Sequence, residues 1–99
     1  MSELIVHPDV ADEMADAAAW YSKIDPELAV RFLGEAYVAI QQALESPLLY
    51  REIDPPYRRV LCSNFPYRVI FEIMEDIDSI HIVAVMHQVR HPDSWKERL

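Results

Sequence analysis

Apolar residues recur at helical spacing in the first half of the chain and alternate as in strands in the second. Residues 3–7, "ELIVH", are short, apolar and bounded by Pro8, which predicts a strand. Pro8 suits the first turn of a helix, and Asp9, Asp12 and Glu13 favour the positive end of its dipole. Val10, Met14, Ala17 and Tyr21 follow at helical spacing beside Ala11, Ala15 and Ala18, so a first helix is expected to end near Lys23–Ile24. "DPE" at 25–27 restarts the pattern, with Asp25 as N-cap and Pro26 at the first helical position. Ala29, Leu33, Ala36, Ile40 and Ala43 then make one stripe, flanked by Leu28, Phe32 and Leu44, until Ser46–Pro47 stops it. Two helices joined by so short a connection form an antiparallel hairpin. Gly34 and the alanines are expected to let the pair approach closely.

Residues 48–57, "LLYREIDPPY", hold a Pro-Pro pair and no clear period, and are expected to form a connecting loop. Three strand-like runs follow: "YRRVLC" (57–62), "YRVIFEI" (67–73) and "SIHIVAVMH" (79–87), parted by the turn clusters "SNFP" and "MEDID". In the middle run Tyr67, Val69, Phe71 and Ile73 share one face, and Arg68, Ile70 and Glu72 the other. Turns this short predict an antiparallel meander. "PDSWKERL" at the end predicts a short helix started by Pro92 and Asp93. The expected architecture is α+β: an N-terminal strand, a helical hairpin, then a three-stranded antiparallel meander, with the hairpin packed on the sheet. It is expected to be one domain over residues 1–99, without internal repeats.

Composition narrows the class. With 52% hydrophobic and 26% charged residues, the chain reads as a packed globular protein. "MSELIVHPDV" lacks a basic region followed by a long apolar run, and no window approaches a membrane span. No signal peptide and no membrane association are expected, and cytoplasmic residence is the default. The single cysteine, Cys62, excludes an internal disulfide and a multi-cysteine zinc site. It lies in a strand, as a small buried hydrophobe would.

The net charge is −8, and residues 1–50 carry nine acids against two bases, Lys23 and Arg31. Residues 51–99 carry eight acids against seven bases, which leaves −7 in the first half and −1 in the second. Nucleic-acid binding is dominated by phosphate neutralisation, so the overall field opposes it. A local basic site in the second half stays open.

The candidate chemistry lies in that half. His87 and His91 are four apart, as in a helical metal pair, but Gln88 stands where a zinc-protease glutamate would be. His87 also ends a strand, and Pro92 pushes His91 away from the α region. No metal and no cofactor are expected. Ser63 has no glycine-rich elbow, and one glycine cannot build a phosphate loop. The acids of the first helix are spaced as a solvated face. What remains is a basic set: Arg58, Arg59, Arg68, His87 and Arg90. Adjacent Arg58 and Arg59 point to opposite faces, so at most one joins Arg68. These arginines either pair with Glu72, Glu75 or Asp54, or line a site for an anionic ligand. His87 either caps its strand or acts in that site. Trp95 either docks under the sheet or meets a partner.

The segments "RRVLCSNFPYRVIFEI" and "IHIVAVMHQVRHPDSWKER" resemble the RelE/ParE superfamily of type II toxin–antitoxin toxins, and "FLGEAYVAIQQALESP" is similar to its helical hairpin. The resemblance covers about residues 3–98 and is most specific in "FPYRVIFE" and "VAVMHQVRHPDSW". It implies a small toxin of the plasmid-stabilisation kind, neutralised by a cognate antitoxin in a hetero-oligomer. RelE-like members cut mRNA on the ribosome, which would make Arg68, His87 and Arg90 catalytic. ParE-like members bind DNA gyrase without catalysis, and Arg58, Arg59, Arg68 and Trp95 would then be binding residues. Glu52 and Asp54 stand where the ribonucleases carry a lysine cluster, and the "HQVRHP" ending is more similar to the ParE side. A non-toxic interaction module of the same fold is the third expectation.

Overall fold

The computed structural model describes residues 3–89 and 94–98. Strand β1 (Glu3–Val6) leads into helix α1 (Asp9–Ile24) and, after one residue, helix α2 (Pro26–Glu45). Strands β2 (Glu52–Asp54), β3 (Tyr57–Leu61), β4 (Tyr67–Met74) and β5 (Ser79–His87) follow, and a terminal 3-10 turn covers Ser94–Arg98. The helix boundaries follow from their caps. His7 Nδ1 accepts the Asp9 backbone N–H at 3.1 Å, and Asp25 Oδ1 accepts that of Glu27 at 3.0 Å. Each satisfies a donor that the first helical turn leaves without a partner.

The strands form one mixed sheet in the order β1-β5-β4-β3-β2. The meander is antiparallel throughout, whereas β1 runs parallel to β5 with Leu4 opposite Ile80 and Val6 opposite Ile82. The stretch expected as loop contributes the short edge strand β2, antiparallel to β3. Three residues ending at a Pro-Pro pair are too few to show a period.

The hairpin covers one face of the sheet. Phe32, Ala36, Ala39 and Ala43 of α2 and Val10 and Ala17 of α1 are buried against Val69, Phe71, Ile82 and Val85. The rings of Tyr21, Phe32, Phe65 and Tyr67 interlock there, with centroids 4.9–5.5 Å apart for Tyr21–Phe65, Phe32–Phe65 and Phe32–Tyr67. Gly34 takes no part. It is exposed, and a Cβ built on it meets nothing within 4 Å, so it does not set the approach of the helices. A second core sits on the opposite face, where Ile70, Val83, Ala84 and Met86 pack against Trp95 of the terminal turn. No helix among the described residues is long and apolar enough to cross a membrane.

Candidate functional site

Sheet register decides which candidates can act together. Arg68 of β4 lies opposite Leu61 of β3 and Met86 of β5, and Arg59 lies opposite Ile70. Ile70 and Met86 belong to the face away from the hairpin, so Arg59 and Arg68 share that outer face. They are diagonal neighbours, with Cβ atoms about 7–8 Å apart in ordinary sheet geometry. Arg58 is turned to the hairpin side, opposite Phe71. Its guanidinium donates to the Tyr50 carbonyl at 2.8 Å and pairs with Glu52 at 3.6 Å, which ties it to the edge of the sheet. Of the acids expected to hold the arginines, Glu72 faces His81 at 3.3 Å and Asp54 faces Lys96 at 3.8 Å.

His87 lies opposite Tyr67, and the two rings meet edge to face at 5.3 Å. Tyr67 belongs to the hairpin-side core, so His87 and Arg68 project from opposite faces of the sheet. His87 Nδ1 accepts the Val89 backbone N–H at 3.1 Å, which caps the strand and leaves the proton of the neutral ring on Nε2. His87, Tyr67, Glu13, Asp16 and Trp20 line a cleft of about 510 Å³ beside α1. Arg90 lies outside the described residues.

Trp95 is 1% exposed and meets Tyr57 edge to face at 5.2 Å. It is thus docked on the sheet rather than presented on the surface. Its indole N–H has no hydrogen-bond partner among the described residues. Cys62 lies just beyond β3 rather than within it and is buried. Burial, and secondarily the negative Glu35, pushes its thiol up to about 11, so it is no thiolate nucleophile at neutral pH. Among the described residues no three His, Cys, Asp or Glu side chains gather as a metal site.

Two groups of interacting residues were not foreseen from sequence. Glu13, expected on a solvated face, is largely buried. One carboxylate oxygen accepts the Val85 backbone N–H at 3.1 Å and the other accepts from Arg98. Arg98 also donates to the Val83 carbonyl at 3.0 Å, and its guanidinium lies 3.7 Å from Asp9. Glu13, first among the causes, holds the guanidinium above its usual pKa. Past the end of β1 no strand among the described residues borders that edge of β5, and these two side chains take the strand's place. The signal was present, because Glu13 falls between Val10 and Ala17 on the apolar stripe of α1. The second group is a row across the outer face, where register sets Tyr57, Glu72 and His81 side by side. The Tyr57 hydroxyl is raised in pKa by burial and then by the charge and hydrogen bond of Glu72.

A family profile described as the ParE toxin of the type II toxin-antitoxin system, parDE, matches residues 4–92. It stops short of the turn that carries Trp95 and Arg98. Among solved structures, the chain is similar to one of the chromosomal ParDE TA system from P. aeruginosa. The TM-score is 0.76 at 14% identity, covering 88% of this chain and 96% of that chain. At such identity the likeness is one of fold. No curated protein sequence matches the chain.

Proposed function

The chain belongs to the ParE toxin family of type II toxin–antitoxin systems, and from that premise we propose that it inhibits DNA gyrase by binding it and is neutralised by a cognate antitoxin. The observation that carries this reading is the separation of Arg68 and His87 onto opposite faces of the sheet. Cleavage of RNA by its own 2′-hydroxyl needs a general base and a phosphate-stabilising cation around one phosphate. Two side chains on opposite faces of a packed sheet do not meet there. The net charge of −8 also opposes close association with a phosphate backbone, whereas it leaves a protein target open. Arg59, Arg68 and the exposed Leu61, which lies in the strand of Arg59 and opposite Arg68, supply a mixed basic and apolar patch on the outer face for that target. The toxin then works in the cytoplasm with gyrase, as half of a plasmid-stabilisation pair, and the antitoxin holds it in a hetero-oligomer.

One feature favours a second reading, a RelE-like ribosome-dependent endoribonuclease. Arg59 and Arg68 lie on one face of the sheet as diagonal neighbours, the kind of cation pair that a phosphate contact uses. The two readings part in a single experiment. Purified protein in excess over gyrase is expected to abolish ATP-dependent supercoiling of a plasmid while ribosome-bound mRNA stays intact. Unchanged supercoiling overturns the gyrase reading. Cleaved mRNA, lost in Arg68→Ala, establishes the ribonuclease instead.

A further inference from the structure

The backbone N–H of Arg59 donates to the Arg51 carbonyl at 3.3 Å, one step beyond the pairing of Glu52 with Arg58. Residues directly opposite in a ladder share a face, so Arg51 projects from the outer face beside Arg59, with Cβ atoms about 4.5–5.5 Å apart. Like charges set opposite one another destabilise a sheet. Among the described residues neither guanidinium makes an ion pair. Glu52, next to Arg51, pairs with Arg58 on the hairpin side, and Glu72, diagonal to Arg59, is engaged by His81 and the Tyr57 hydroxyl. Leu61 is 46% exposed on the same outer face, and the turn leading into Arg51 presents Leu48 and Leu49, 75% and 80% exposed. Leu49 lies two residues from Arg51, at most about 7 Å along the chain. A protein of charge −8 thus sets cations side by side among apolar side chains at one corner of its sheet.

Charge and apolar exposure together choose the occupant. Adjacent guanidiniums suit carboxylates, which accept their paired N–H donors. Exposed leucines beside them suit apolar side chains, which bury surface against them. A phosphate backbone would use the arginines and leave the leucines in water, and the net charge opposes its approach. We propose that the corner formed by Arg51, Arg59, Leu61 and the Leu48–Leu49 turn binds an acidic segment of the target protein. Its Asp or Glu side chains lie over the arginine pair and its apolar side chains over the leucines. Arg68, opposite Leu61, borders the same site. That the target is gyrase rests on the function proposed above; the acidic and apolar character of the segment rests on the corner itself.

The test measures binding of the intact chain to gyrase, to a soluble peptide in which leucines are interspersed among glutamates, and to a duplex DNA oligonucleotide. The backbone amide signals of Arg51, Arg59 and Leu61 are expected to shift on peptide addition, with an affinity that falls as salt rises. Arg51→Glu and Arg59→Glu are each expected to weaken binding of peptide and gyrase about tenfold or more. Their melting temperatures should be no lower than wild type, since each replaces a like pair by an opposite one. Leu49→Ser, at an exposed position, is expected to weaken binding too and serves if a charge reversal fails to fold. Gyrase bound equally well by all three variants overturns the site and leaves the gyrase reading intact. Gyrase left unbound while the peptide still binds this corner overturns the gyrase reading and leaves the site. An oligonucleotide that displaces the peptide overturns the proposal in favour of nucleic acid, and a dimer of the free chain protected at these amides does so in favour of a second copy. Binding of neither gyrase nor peptide overturns both.

Discussion

Glu13 and Arg98 show how much of this fold rests on single side chains. Between them they satisfy the Val85 N–H and the Val83 carbonyl of β5, each 14% exposed at the side chain. Removing Arg98 takes the cation from the largely buried Glu13 carboxylate, which costs about 3–5 kcal/mol. Arg98→Met is therefore expected to lower stability by about 3 kcal/mol. The Glu13→Gln/Arg98→Met double variant should lose less than the sum of the singles, with a coupling of about 1–3 kcal/mol in urea denaturation. Additive losses would mean that the pair is not coupled. Trp95→Ala should cost about 3–5 kcal/mol, a large part of the roughly 5–15 kcal/mol that holds a domain. Cys62 gives a test by pH. Its thiol is raised from the ordinary 9.0 to about 11, so the folded state holds the proton more tightly than the unfolded one. The stability this contributes is fully present below about 9 and is lost as pH rises through about 11. Alkylation of Cys62 at pH 8 is expected to be slow in the native chain and fast in urea; equal rates would contradict the burial argument.

At the scale of elements, sequence was most informative where a period or a cap ran uninterrupted. The "DPE" start of α2, the alternation in β4 and the strand character of β5 all appear in the structure as the residues indicate. The alanine stripe identified the face of α2 that meets the sheet, because small side chains at helical spacing leave no other use for that face. Gly34 was misleading. A glycine among alanines suggests helix contact, yet this one faces solvent and needs no conformational freedom. Gly34→Ala is therefore expected to stabilise the chain by about 1 kcal/mol, raising its melting temperature by about 4–8 °C. A fall in melting temperature would indicate a contact at that surface. Strand β2 and the parallel docking of β1 were not legible, since three residues carry no period and a parallel partner leaves no local mark. Arg68 and His87 resembled a joint site because both belong to the meander. Their faces become distinct only when register is known, and register depends on the bulge at Ile70/Phe71 that shifts β5 by one residue.

For the whole molecule, the sheet separates two surfaces of different character. The hairpin side is acidic and ends in the open edge of β1 and its apolar groove. The outer side is sealed at its centre by Trp95 and leaves Arg59, Leu61 and Arg68 toward one end. Composition foretold the charge asymmetry but not its placement, which follows from the hairpin lying on one face only. A toxin that acts by occupying gyrase must be consumed in proportion to it, whereas a nuclease turns over. The most direct measurement is a titration of supercoiling by gyrase at fixed enzyme concentration, with wild-type protein. Inhibition by binding predicts that activity falls in step with the ratio of toxin to gyrase and returns when antitoxin is added. Supercoiling that persists at a large excess of folded toxin would contradict it.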